Sequence, residues 1–119
     1  RAFKGDERLG LCFDTCHAFA AGYELRTPQG LDETMEELDR KVGLERLWLV
    51  HANDSKGDRG SRLDRHQHIG QGMLGMEAFG HMVNHPVLGG LPWILETPEM
   101  TVEWDQENLQ RIRSLVHEE

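Results

Sequence analysis

Three short apolar runs, each stopping at a side chain able to hold a metal, constrain this chain more than any other feature. Leu9-Gly10-Leu11-Cys12-Phe13 stops at Asp14, Leu47-Trp48-Leu49-Val50 stops at His51, and Leu91-Pro92-Trp93-Ile94-Leu95 stops at Glu96. Short apolar runs bounded by turn formers fit strands buried on both faces. Helical patterns separate and follow them. Thr15 to Gly22 is rich in Ala and predicts a short helical turn that Gly22 ends. A breaker pair, Pro28 and Gly30, precedes an amphipathic helix with Leu31, Met35, Leu38 and Val42 on its inner face and Gly43 as its stop. Met76, Phe79, Met82 and Val83 mark another helix, which Pro86 terminates. Leu109, Ile112, Leu115 and Val116 mark a last one, and Pro98 keeps the third strand from continuing. Residues 1–8 are polar and carry no signal.

Strands alternating with helices call for parallel strands joined by right-handed crossovers. Ligands arriving at the C-terminal ends of successive parallel strands describe the catalytic face of a (β/α)8 barrel. Such a barrel usually takes about 250 residues. The 119 residues present here fit about three of its βα units, so the expected domain, 1–119, is the partial barrel. A doubly wound open sheet explains the alternation equally well, but not the repeated ligand at the strand ends.

The longest polar stretch, His51 to Gly72, starts where the second run ends and collects His, Asp, Lys, Arg and Gly. A loop of about twenty residues without an apolar period is uncommon in a compact domain and is usually functional or disordered. Its composition argues against disorder. Asp64 and His66 stand two apart, a spacing that points both side chains to one side of an extended segment. With His51 they are donors that suit a divalent metal such as zinc. His68 repeats the phase of His66, so spacing leaves it open as a ligand.

Each residue has a plainer reading. Asp14 could cap the turn that follows it, with His17 on the surface. His51 could be a satisfied core or loop histidine, and Glu96 could pair with an arginine. Cys16 reads as a small buried residue rather than a ligand. Chance accounts poorly for all of these donors on three strand ends and one loop.

The formal charge of −8 and pI near 5.3 speak against a simple basic nucleic-acid binder. Bound dications weaken that objection, since each offsets two negative charges. Lys56, Arg59, Arg62 and Arg65, interleaved with Gly57 and Gly60, read either as a solvated, flexible loop or as phosphate contacts, and the acidic background makes the cluster more telling. Metal ligands that could hold more than one zinc beside phosphate-binding groups suggest phosphodiester hydrolysis. Cys12 and Cys16 are the only thiols, which reads as a reduced, cytoplasmic protein. No apolar run reaches the length of a membrane span, and no signal peptide is recognisable.

Leu11-Cys12-Phe13-Asp14-Thr15-Cys16-His17 and the residues on to Tyr23 resemble one signature of the endonuclease IV family, the family 2 AP endonucleases. The stretch from His51 to Gly72, with Asn-Asp-Ser-Lys, Gly-Ser-Arg, Asp-Arg-His and Ile-Gly-x-Gly, resembles another, and Leu95-Glu96-Thr97-Pro98 is similar to the family's last strand end. The resemblance runs through essentially the whole chain. It implies a zinc-dependent DNA repair enzyme on a xylose-isomerase-like (β/α)8 barrel, holding up to three zinc ions. Such an enzyme hydrolyses the phosphodiester 5′ to an abasic site in double-stranded DNA, leaving a 3′-hydroxyl and a 5′-deoxyribose phosphate.

By position, His17, Asp64 and His66 resemble the full protein ligand set of one zinc. Asp14, His51 and Glu96 resemble part of a second set, which also needs a bridging glutamate. Asp14 and Glu96 would then act in catalysis through zinc, and His68 falls on no ligand position. Asn53, Ser55, Lys56, Arg62 and Arg65 are the implied DNA-phosphate contacts. The bridging glutamate, two further histidines and the DNA-penetrating loops belong to the earlier part of the family's chain. The three strands resemble the sixth to eighth of the barrel. The expectation is therefore a C-terminal portion, acting in the cytoplasm at the nucleoid. It would lack the N-terminal half of its barrel, with two unpaired strand edges open to self-association. Two other readings stay open: a metal-dependent sugar isomerase or epimerase on a related barrel, and a non-catalytic DNA-binding remnant.

Overall fold

The strand-forming runs pair as their alternation with helices requires. In the computed structural model, which describes residues 10–98 and 101–117, β1 (Leu11–Asp14), β2 (Leu47–His51) and β5 (Trp93–Ile94) form a parallel sheet in the order β1-β2-β5. Residues 1–8 and the expected strand position Leu9 lie outside the described residues. The register sets Asp14 opposite His51 and His51 opposite Ile94. Glu96 follows Ile94 by two positions. The three strand ends thus deliver Asp14, His51 and Glu96 to one edge of one face.

Helices fill the connections. α1 (Thr15–Ala20) and α2 (Pro28–Lys41) join β1 to β2, α3 (Gly75–Val83) precedes β5, and α4 (Val102–Leu115) follows it. Pro28 opens α2 instead of standing before it, with Gly30 in the first turn. Proline's missing N–H costs nothing at a helix start, and the Thr27 hydroxyl accepts from the Gly30 N–H at 3.0 Å. Phe13 and Val50 on the sheet pack with Phe19, Leu31, Met35, Ile69, Phe79, Met82 and Ile112 into one core.

Three further expectations change. The strands are buried on one face only: Cys12 and Ile94 on the opposite face are exposed and Leu49 is half-buried, because the core lies wholly on the other side. The inner face of α4 is Asn108, Ile112 and Leu115, while Leu109 and Val116 are exposed. A polar residue therefore occupies a place where apolar period alone put leucine. The loop from His51 to Gly72 also has strands of its own. β3 (Asp54–Ser55) and β4 (His66–Gln67) pair antiparallel, Ser55 opposite His66. The basic residues ride on this hairpin.

No helix among the described residues is long and apolar enough to cross a membrane. β1 and β5 are the edges of the parallel sheet among the described residues.

Candidate metal centre

Asp14 is both cap and candidate ligand. It ends β1 and precedes α1, so one carboxylate oxygen accepts the His17 N–H at 2.9 Å. The other oxygen faces His66 Nε2 at 3.8 Å and His51 Nδ1 at 4.0 Å. His51 Nδ1 in turn meets Glu96 Oε1 at 2.8 Å. On the far side of His66, Asp64 Oδ1 lies 3.9 Å from Nε2, and Asp64 Oδ2 lies 3.2 Å from His17 Nδ1. The six side chains form one unbroken series: Glu96, His51, Asp14, His66, Asp64, His17. Three carboxylates thus converge with three imidazoles, and Glu96 pairs with His51 rather than with an arginine.

The tautomer of His66 follows from its partner. Nδ1 lies 2.6 Å from the Glu96 carbonyl oxygen, which can only accept. Nδ1 therefore donates, and Nε2 faces the carboxylates of Asp14 and Asp64. A ligand imidazole held by a backbone carbonyl through its other nitrogen is the usual arrangement at a metal. The donor set is imidazole and carboxylate, the chemistry that divalent zinc accepts. The residues fit the ion.

Cys16 is the neighbouring alternative. Its Sγ, Asp64 and His66 offer atoms that all lie within 4.8 Å of one another. The thiol, however, is fully buried beneath the site and donates to the Arg65 carbonyl at 3.3 Å. Burial pushes its pKa up to about 12, so without a metal it stands as a neutral thiol. His17, with its ring largely in solvent beside Asp64, is the better third donor.

His68 points elsewhere. β4 stops at Gln67, and the His68 ring is buried, stacked on Trp104 at 3.7 Å between centroids. Its Nδ1 meets the Asn108 side-chain amide at 3.1 Å. The shared phase with His66 ends with the strand.

The phosphate candidates divide. Lys56, Arg62 and Arg65 are exposed on the hairpin. Arg62 has a left-handed backbone, φ 62°, and together with His17, Ala20, Ala21 and Asp64 it borders a cavity of about 290 Å³. Asn53 and Ser55 are fully buried. The Asn53 Oδ1 accepts the Glu96 N–H at 2.9 Å, and the Ser55 hydroxyl donates to the Gly57 carbonyl at 2.7 Å. Both shape the strand ends and the hairpin from inside.

Three residues that sequence reasoning passed over organise the site. The Thr15 hydroxyl bonds the main chain of Asn53. Asp54, fully buried, accepts from the backbone N–H groups of Ser55, Gly70, Gly72, Leu74 and Gly75 at 2.8–3.1 Å. Asn108 accepts the Ile69 N–H at 2.9 Å and donates towards His68 and Thr97. An asparagine inside a helical apolar period is the one signal that could have flagged Asn108.

Comparison with known proteins agrees with this fold. A family model described as a xylose isomerase-like TIM barrel matches residues 1–115. The chain is 52% identical over 109 residues to a probable endonuclease 4 of Methanoculleus marisnigri, covering 92% of this chain and 39% of that protein. It is 56% identical over 111 residues to a probable endonuclease 4 of Chloroflexus aurantiacus, again covering 92% and 39%. The crystal structure of endonuclease IV from Thermus thermophilus superposes with a TM-score of 0.79 at 42% identity, over 93% of this chain and 40% of that one. The chain therefore spans about two-fifths of the length of the relatives it matches. Three parallel strands with helices on one face, candidate ligands at the strand ends and these matches together lead to one conclusion: the chain belongs to the endonuclease IV family of xylose isomerase-like TIM barrels.

Proposed function

We propose that this chain carries much of the metal centre of a zinc-dependent DNA repair endonuclease that hydrolyses the phosphodiester 5′ to an abasic site. The observation that carries the reading is the unbroken series of six imidazole and carboxylate side chains at the sheet's C-terminal edge. His17, Asp64 and His66 would hold one ion. Asp14, His51 and Glu96 would hold a second, in a set that these residues leave short of a bridging carboxylate. When bound, such ions supply Lewis-acid activation of water near neutral pH and offset charge at the phosphorus.

The protein's own residues orient these donors and the substrate. The Glu96 carbonyl fixes the His66 tautomer. Lys56, Arg62 and Arg65 offer cations from the hairpin to the phosphates of double-stranded DNA, Arg62 beside the His17–Asp64 pair. The basic hairpin favours phosphodiester hydrolysis over sugar isomerisation, where the substrate carries no such charge.

Metal analysis combined with cleavage of a duplex bearing one abasic site tests the reading. The expected result is one tightly held zinc, a weaker second, and little or no cleavage by this chain alone. Robust cleavage without any partner would sink the claim that the site is partial, unless self-association rebuilds it. Ketose–aldose conversion without any affinity for abasic DNA would sink the nuclease reading.

A further inference from the structure

The ladder hydrogen bonds of the parallel sheet stop just short of the ligands. The last one between β2 and β5 runs from the Ala52 N–H to the Ile94 carbonyl at 2.8 Å. If that ladder continued, the Glu96 N–H would donate to the Ala52 carbonyl. It donates instead to Asn53 Oδ1 at 2.9 Å. On the other side, β1 has already turned into α1 at Thr15, so no strand remains to pair with Asn53. The Thr15 hydroxyl takes that rung: it donates to the Asn53 carbonyl at 2.6 Å and accepts the Asn53 N–H at 2.9 Å. Thr15 follows Asp14 directly, and Asn53 stands two residues beyond His51. Both are fully buried, so water does not compete for these bonds.

We propose that Thr15 and Asn53 are a positioning pair that replaces the missing ladder and sets the convergence of Asp14, His51 and Glu96. The inference rests on the reading of those three side chains as ligands of one ion. The bonds act on the main chain next to each ligand, so their loss would spread the donors apart without removing any of them. His17, Asp64 and His66 stand on α1 and the hairpin. Of these only His66 touches the Glu96 main chain, through the Glu96 carbonyl at 2.6 Å, while His17 and Asp64 meet each other directly.

Cobalt(II) titration of the whole chain, followed by its visible absorption bands, separates the two sites. The tight first step reports His17, Asp64 and His66, and the weaker second step reports Asp14, His51 and Glu96. Asn53→Ala and Thr15→Val are expected to weaken the second step by about 10–100-fold, the usual cost of losing a group that orients ligands, and to weaken the first step markedly less. Thr15→Ser, which keeps the hydroxyl, is expected to titrate like the unmodified chain. Circular dichroism checks helix content first. If neither variant folds, Asn53→Gln, which keeps the amide but changes its reach, takes their place.

Equal weakening of both steps would reduce the pair to general stability and overturn the proposal, as would unchanged second steps. An unmodified chain that takes up no cobalt would instead overturn the metal-centre reading, and this inference with it.

Discussion

At the scale of single residues, Asp54 carries more of the site's architecture than any candidate ligand does. Five backbone N–H groups close on its carboxylate, and together they bend residues 69–75 back against β3. Asparagine keeps one acceptor oxygen and turns an NH2 towards the remaining donors. Asp54→Asn is therefore expected to cost about 3 kcal/mol in urea unfolding, the scale of losing charge-assisted bonds to buried N–H groups. Gly72 belongs to the same arrangement: a Cβ there would meet the Ser55 carbonyl and lie 2.6 Å from Asp54 Oδ1. Gly72→Ala should destabilise in the same assay, and an unchanged midpoint would refute the steric account. None of this was legible in the sequence. The Gly-rich stretch Ile69-Gly70-Gln71-Gly72 reads as a loop, and its acceptor stands sixteen to eighteen positions earlier. The gathering of Asp14, His51 and Glu96 at the sheet edge was legible, because each ends an apolar run.

At the scale of elements, the hairpin β3–β4 is held on two sides. Towards α1, its tip donates from Gly60 N to the Phe19 carbonyl at 3.0 Å and from Arg62 N to the Ala20 carbonyl at 2.9 Å. Beside these, Glu24 accepts two bonds from the Arg26 guanidinium at 2.9 Å, and Arg26 and Arg59 reach Asp58 and Glu24 respectively. The Arg26 side-chain bonds, ahead of any other cause, lower the Glu24 pKa from 4.5 to about 2. A depressed carboxylate contributes stability above its unfolded pKa and loses it as pH falls through the folded one. The contribution should be complete above pH 4.5 and fade towards pH 2. Glu24→Gln is expected to flatten that acid limb in urea midpoints measured against pH; an identical limb would contradict it.

Towards α4, Asn108 and the Arg111 guanidinium, which donates to the Ile69 carbonyl at 2.6 Å, secure the strand exit after His66. Asn108→Ala should cost about 1–3 kcal/mol and speed hydrogen exchange at the Ile69 amide. Slow exchange in that variant would mean the amide has another acceptor. Helices were readable from apolar spacing at Leu31, Met35, Phe79 and Met82. Two-residue strands are too short to show a period, and the polar anchor at Asn108 breaks the one α4 has. The apolar pattern therefore misplaced Leu109 and hid the hairpin.

At the scale of the whole molecule, three βα units bring donors from residues 14 to 96 into one series along a sheet edge. The parallel order β1-β2-β5 was legible because only crossover helices fit between runs so spaced. Burial on one face was not, since a strand's sequence does not say what covers it. The central claim is that metal is held here by imidazole and carboxylate, with Cys16 beneath the site and outside it. X-ray absorption at the zinc edge, on the chain loaded with one equivalent, tests that claim most directly. The expected spectrum shows nitrogen and oxygen neighbours alone, at about 2.0–2.2 Å, with imidazole scattering that His17→Ala diminishes. A sulfur neighbour at about 2.3 Å would put Cys16 in the place given to His17 and contradict the account.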